Sequence, residues 1–336
     1  VKIGKCENFS NFQQFSSIFA KNKYDLLIFQ TQHYCMKEFS TIMTIAILLV
    51  GSLLASAVPP ESEKARRLHN YLANNPEYAK TLTGMKTLRT TRRPVVGIAT
   101  HRAANEFAPE NTLAAMQIAL DLEADFIEID IRQTRDGRSL ILHDVNLDRT
   151  TTGKGPVKAI SFDEARKLSA GRWFDPFFAE EKIPTLEASC RLISDHNKNG
   201  GHPAYFYIDC KDINVRVLID TLTEYNLLEG SVFYVNEQQI GQIRQLAPQA
   251  RLLPGLNDPK DLDRLIDTCH PYALDVNWND LSKELTDKAH AKGVKIFSDG
   301  FGGYQTVESY VKAIKAGIDV ISTNKVSVIC EAAQVQ

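Results

Sequence analysis

From residue 95 to the C-terminus, short β-rich runs alternate with helical segments eight times over. The runs lie at 95–101, 126–131, 206–210, 232–236, 251–255, 273–277, 295–299 and 319–323. Helical patterns fall at 112–123, 186–197, 213–226, 237–246, 259–268, 282–292 and 306–316, with a last one at 325–333. Parallel neighbours need a crossover of a dozen or more residues, and these helices supply it. Eight such units close into a (β/α)₈ barrel, whose usual size is about 250 residues. An open doubly wound sheet is the alternative. The expected fold is α/β, a single (β/α)₈ TIM barrel over 95–336 with a β-hairpin and an insertion after the second strand, preceded by an N-terminal helix.

One run breaks the alternation. Residues 139–143, SLILH, follow the second strand with no helix between. Asp136-Gly137 in the link signals a two-residue type I′ turn. Centred there, the hairpin pairs 135 with 138 and sets His143 opposite Asp130. Residues 144–184 then form a long excursion with one short helix, 161–169, capped by Ser161 with Glu164 three residues on. Such excursions on the upper face of a barrel are usually functional.

The N-terminal part differs in kind. Residues 42–57, IMTIAILLVGSLLASA, form an apolar run ending in Ala55-Ser56-Ala57, a pattern that fits signal cleavage. The run is shorter than the ~20 residues of a spanning helix. The expected order is upstream translation over 1–35, a signal peptide over 36–57, then a helix at 62–82 packed outside the barrel and a linker at 89–94. This predicts an exported protein, periplasmic or secreted, with no stable membrane insertion once processed. The net charge of −2 leaves no basic footprint for nucleic acid. Cys190, Cys210, Cys269 and Cys330 match no metal spacing and sit in apolar stretches, so buried thiols are expected.

In a parallel barrel the active site lies at the carboxyl ends of the strands. The polar residues there are His101 and Arg102 on the first strand and Glu128 and Asp130 on the second. His143 follows on the hairpin return. Asp209 and Lys211 stand on the third strand, Asp275 and Asn277 on the sixth, and Asp299 on the seventh. Glu128 and Asp130 alternate with Ile127, Ile129 and Ile131, so the isoleucines face the helices and the carboxylates face inward. Two inward carboxylates repel unless positive charge lies between them. Salt bridges to Arg102 and Lys211 would supply it. So would a divalent cation, Mg²⁺ or Ca²⁺ for an all-oxygen set, with Asp209 as third ligand. Two histidines beside such a centre suit acid–base chemistry near neutral pH, and Arg102 with Lys211 suits a phosphate-like anion.

The ordered segments THRA, PENT, FIEIDIRQTRDGRSLILHD, LDRTTTGKG, AGRWF, KIPTLEA and YIDCK resemble the glycerophosphodiester phosphodiesterase family, most strongly over 95–211. The resemblance implies a TIM barrel that hydrolyses small-molecule glycerophosphodiesters to sn-glycerol 3-phosphate and an alcohol. It implies catalytic histidines at His101 and His143, metal binding at Glu128, Asp130 and Asp209, and substrate contacts from Arg102 and Lys211. The sequence departs from the family pattern at Ala103, usually glycine, and at Asp209, commonly glutamate. The segment 295–303 also lacks an expected tryptophan. Two alternatives share these residues: a phospholipase D or sphingomyelinase D-like enzyme acting on lysolipids, and a non-catalytic barrel that binds glycerophosphodiesters.

Overall fold

The computed structural model describes residues 63–90 and 96–335. The expected upstream and signal segments, 1–57, lie outside the described residues, as does most of the expected linker. From Lys64 onward the described residues form one compact unit. Two helices come first, α1 (Glu63–Leu72) and α2 (Pro76–Thr90). The barrel strands follow as β1 (Gly97–Thr100), β2 (Phe126–Gln133), β4 (Tyr205–Asp209), β5 (Val232–Val235), β6 (Arg251–Leu256), β7 (Ala273–Val276), β8 (Lys295–Asp299) and β9 (Val320–Thr323). The extra strand is β3 (Ser139–Ile141). Every barrel pairing is parallel, and β1 pairs with both β9 and β2, which closes the ring. No described helix is long and apolar enough to cross a membrane.

The helices between strands are α3 (Leu113–Asp121), α4 (Leu186–Lys198), α5 (Val215–Glu224), α6 (Glu237–Leu246), α7 (Leu262–Cys269), α8 (Lys283–Ala291) and α9 (Val307–Ala316), with α10 (Val326–Gln334) last. Many start on a side-chain cap. Thr112, Thr185, Asn214, Asn236, Ser282 and Thr306 each accept a bond from a backbone N–H of the first turn.

Strand alternation divides the core. Ile98, Ile127, Ile129, Phe206, Ile208, Phe233, Leu252, Leu274, Ile296 and Ile321 face out and pack under the helices. Ala99, Phe126, Tyr207, Val232, Leu253, Ala273, Phe297 and Val320 face in and fill the barrel floor. Both sets are removed from water, which is why the strands read as nearly continuous apolar runs. Two residues further along each strand, the inward positions become His101, Glu128, Asp209, Tyr234, Gly255, Asp275, Asp299 and Ser322. A polar ring thus lies directly on an apolar floor.

Two expectations are corrected. The hairpin loop has three residues, Arg135, Asp136 and Gly137, closed by Thr134 N–H donating to the Arg138 carbonyl at 3.0 Å. A type I′ turn needs positive φ at both central residues. Only Gly137 has it, at +72°, while Asp136 takes a 2.6 Å hydrogen bond from the Thr134 hydroxyl. The ladder therefore pairs Ile131 with Ile141, one residue from the expected register. Leu142 N–H donates to the Asp130 carbonyl, and His143 lies just past it.

The N-terminal helix is also two helices. Pro76 stands at the start of α2, where its missing N–H costs nothing, and Asn75 Oδ1 accepts from Tyr78 N–H at 3.0 Å. Helix α2 runs on to Thr90 and is part of the fold rather than outside it. Tyr78, Met85 and Leu88 are buried in the helix-layer core, and Gly84 lets the backbone approach Cys330 of α10. All four described cysteines are free and buried.

Candidate active site

Glu128, Asp130 and Asp209 each present a carboxylate oxygen, and these oxygens lie within 4.8 Å of one another. The β2–β4 register sets this up by placing Asp130 beside Asp209. Lys211 Nζ bridges the pair, 3.3 Å from Asp130 and 2.5 Å from Asp209. Burial works against the Lys211 charge, but the two carboxylates outweigh it and raise its pKa. Asp209 remains above the usual carboxylate range because burial outweighs the lysine.

Glu128 differs from its neighbours. No cationic side chain pairs with it, and its Oε2 accepts from the Arg102 backbone N–H at 2.6 Å. Burial first, then the Asp130 charge, push its pKa well up. The salt-bridge account of the inward carboxylates therefore covers Asp130 and Asp209 but leaves Glu128 without a counter-charge. Three convergent carboxylates with one uncompensated form an oxygen donor set suited to a hard divalent cation.

Arg102 Nη1 bonds Glu110 at 3.0 Å, while its Nε lies 3.7 Å from Asp130 and is buried without a hydrogen bond. Asn111 holds Asp130 from the other side: its Nδ2 donates to Oδ2 at 2.8 Å, and its Oδ1 accepts from the Asp130 N–H at 3.3 Å.

The two histidines approach from different elements. His101 ends β1, stacks on Phe301 at 4.0 Å between ring centres, and meets Asn324 Oδ1 through Nδ1 at 2.7 Å. Asn105 Nδ2 donates to the same oxygen at 2.6 Å. That oxygen is thereby an acceptor, so His101 Nδ1 carries its proton and Nε2 is left with a lone pair. Burial pushes the His101 pKa down to about 4. His143 Nδ1 lies 2.7 Å from Asp144 Oδ1. Its ring sits close enough to Asp209 for its charge to favour that carboxylate. Arg149, from the excursion, grips Asp144 and Glu110 with bonds of 2.7 to 2.9 Å and holds the Asp144 carboxyl far below its usual range.

All seven expected site residues thus stand at the carboxyl ends of the barrel strands or just beyond. Asp275 and Asp299 lie on the same ring, further round, while Asn277 is exposed at the rim. Sequence reasoning missed the residues that orient the others. Asn324 follows the last strand by one position, where the strand-end rule could have found it. Glu110 and Asn111 stood in PENT without a role, Asp144 follows His143 directly, and Arg149 lies in LDRTTTGKG.

Carboxylates, histidines and cations gathered over a sealed floor define a barrel hydrolase for an anionic ester. A profile of the glycerophosphoryl diester phosphodiesterase family matches residues 101–328. A glycerophosphodiester phosphodiesterase of Caldanaerobacter subterraneus subsp. tengcongensis is 32% identical over 235 residues, 67% of this chain and 92% of that protein. Human glycerophosphodiester phosphodiesterase 1 is 40% identical over 99 residues, 29% of this chain and 30% of that protein. Among solved structures, the Agrobacterium tumefaciens glycerophosphodiester phosphodiesterase superposes with TM-score 0.63 at 26% identity, covering 70% of this chain and 99% of that one. An Oleispira antarctica phosphodiesterase, solved with its product sn-glycerol-3-phosphate, has the same fold: TM-score 0.63 at 21% identity, covering 72% of this chain and 98% of that one. The chain belongs to the glycerophosphoryl diester phosphodiesterase family and is an enzyme of that class.

Proposed function

We propose that this chain hydrolyses glycerophosphodiesters to sn-glycerol 3-phosphate and an alcohol. The reading rests on one divalent cation, Mg²⁺ or Ca²⁺, held by Glu128, Asp130 and Asp209, with His101 and His143 transferring the protons. The observation that carries it is the convergence of these three carboxylates at the barrel mouth, with Glu128 lacking any cationic partner. A cation bound there supplies Lewis-acid stabilisation of charge developing on the phosphoryl oxygens.

The chain's own residues divide the remaining work. The buried, unpartnered Arg102 Nε and the Lys211 ammonium are fixed donors for the phosphoryl oxygens. His101 is the base. It is neutral at physiological pH, and Asn324 leaves its Nε2 free to take a proton from the attacking oxygen. His143 is the acid. Asp144 fixes its Nδ1, so its Nε2 is the atom that delivers a proton to the leaving alcohol.

The test is alcohol release from glycerophosphocholine and related diesters. Chelation by EDTA abolishes it, and Mg²⁺ or Ca²⁺ restores it. His101→Ala and His143→Ala each lose about 10²-fold or more in kcat, the usual scale of a lost acid or base. Full activity of the metal-free protein, or of either variant, overturns this mechanism. The apolar run ending at Ala57 supports export with cleavage after that residue. N-terminal sequencing of the exported protein, starting at Val58, tests it.

A further inference from the structure

The ring above the barrel floor has two unlike halves. His101, Glu128, Asp130 and Asp209 occupy β1, β2 and β4. Tyr234, Gly255, Asp275 and Asp299 occupy β5 to β8, and the mechanism above uses none of them.

A cavity of about 400 Å³ begins at Asp209 and Lys211 and extends along β5 and β6, past Tyr234, Gly255 and Asn257. Gly255 lies within a strand, and its φ is not among the positive ones, so the backbone does not require glycine there. Glycine weakens a strand interior and often marks close approach by a ligand. A Cβ at this position would point at Tyr234 Oη, 3.2 Å away, with Asn257 Oδ1 at 3.9 Å.

On the ladder Gly255 pairs with Asp275, so both positions face the barrel interior together. Asp275 Oδ1 is buried and has no hydrogen-bond partner. Such an orphan costs about 1–3 kcal/mol or more, which a ligand donor would recover. Burial, then the Asp299 and Asp209 charges, push the Asp275 carboxyl well up, so positive charge or a donor is what this half of the ring lacks. The cavity also lies on the side of His143, whose ring sits by Asp209. In the mechanism above, His143 protonates the leaving oxygen.

We propose that the β5–β8 side of the mouth is the subsite for the departing alcohol. It selects an alcohol whose far end carries a hydrogen-bond donor, a hydroxyl or a primary ammonium, held by Asp275 and Tyr234 across the gap at Gly255. The proposal rests on the phosphodiesterase reading and deepens it. A quaternary ammonium has no N–H to give Asp275. An acyl chain would bury this orphaned carboxylate against hydrocarbon, at a larger cost.

Steady-state kinetics on the metal-loaded enzyme test it with three diesters: glycerophosphoethanolamine, glycerophosphoglycerol and glycerophosphocholine. Competitive inhibition by inorganic phosphate, which has no alcohol arm, reports on the reacting half alone. In the wild type, kcat/KM for the choline diester is expected to be at least tenfold below the other two. Asp275→Asn removes the ethanolamine preference through KM and spares the glycerol diester more. Gly255→Val raises KM for all three diesters and leaves phosphate inhibition unchanged, with melting temperature confirming that both variants fold. Equal use of the three diesters by the wild type overturns the subsite while leaving the phosphodiesterase reading intact. So does an equal loss on all three in Asp275→Asn, or weakened phosphate inhibition in Gly255→Val. No turnover of any diester overturns the phosphodiesterase reading, and the subsite with it.

Discussion

Arg102 and Ala103 stand at φ +50° and +64°, and Asn111 at +57°, in the one loop that joins His101 to its helix. For non-glycine residues this conformation costs about 1–2 kcal/mol each. It lets the Arg102 N–H reach Glu128 Oε2 and the Ala103 N–H reach the Glu128 carbonyl, so the strain is spent on positioning a candidate ligand. Alanine at 103 was visible in the sequence as a departure, but the sequence could not show that the backbone keeps the left-handed turn regardless. Asn111 both tolerates that turn and fixes Asp130. Asn111→Ala should cost about 3 kcal/mol by denaturant unfolding, the scale of a hydrogen bond lost from a charged group plus the backbone term. The histidine assignment is testable at the same scale. The limb of kcat/KM that reports loss of the base on acidification should fall well below pH 6.5, toward about 4. Asn324→Asp puts a carboxylate on His101 Nδ1, favours the imidazolium and moves that limb to higher pH. A limb that stays in place removes His101 as the base. Asn324 was hard to read because a single asparagine after a strand carries no pattern, and only the contact with His101 gives it a role.

The β2–β3 hairpin and the excursion after it act as one device for holding His143. Thr134 and Asp136 form a side-chain bond that lengthens the loop by a residue, an interaction no turn dipeptide reveals. That is why the strand was legible and its register was not. Past Leu142 the chain leaves the ladder, and Arg149 becomes the tie, joining Asp144 behind His143 to Glu110 behind Arg102. Arg149→Met should lower kcat by about tenfold or more while shifting stability by only about 1 kcal/mol, since partly exposed ion pairs contribute little. Turnover compared with melting temperature separates the two effects. If the variant unfolds instead, the excursion depends on Arg149 for its fold rather than for catalysis.

Over the whole molecule, alternation made the barrel legible because each strand and its helix announce themselves locally. Helix α2 did not. Its buried face is Tyr78, Thr81, Met85 and Leu88, too sparse and too mixed to stand out among threonines and lysines, and it is defined by packing on α10. The ring of carboxylates has a consequence for the entire fold. Glu128, Asp209 and Asp275 are raised by burial, and Asp299 is pushed up to about 6. Between the unfolded carboxylate pKa of about 4 and these folded values, the native state binds more protons than the unfolded chain, so stability falls as pH rises. His101 alone acts oppositely, since its folded pKa of about 4 makes stability rise between pH 4 and 6.5. Four carboxyls against one imidazole set the sign: metal-free protein should melt at a higher temperature at pH 5.5 than at pH 8. Adding Mg²⁺ or Ca²⁺ at pH 8 should reverse that order by binding the native state. Melting curves in EDTA and in excess metal decide it. The apolar floor has a different, kinetic implication. With Phe126, Tyr207, Leu253 and Phe297 packed beneath the polar ring, the barrel is a cup filled and emptied through one rim. Diester, alcohol and phosphorylated glycerol share that doorway, so whichever product sits nearer the rim departs first, and the other holds the enzyme until it follows.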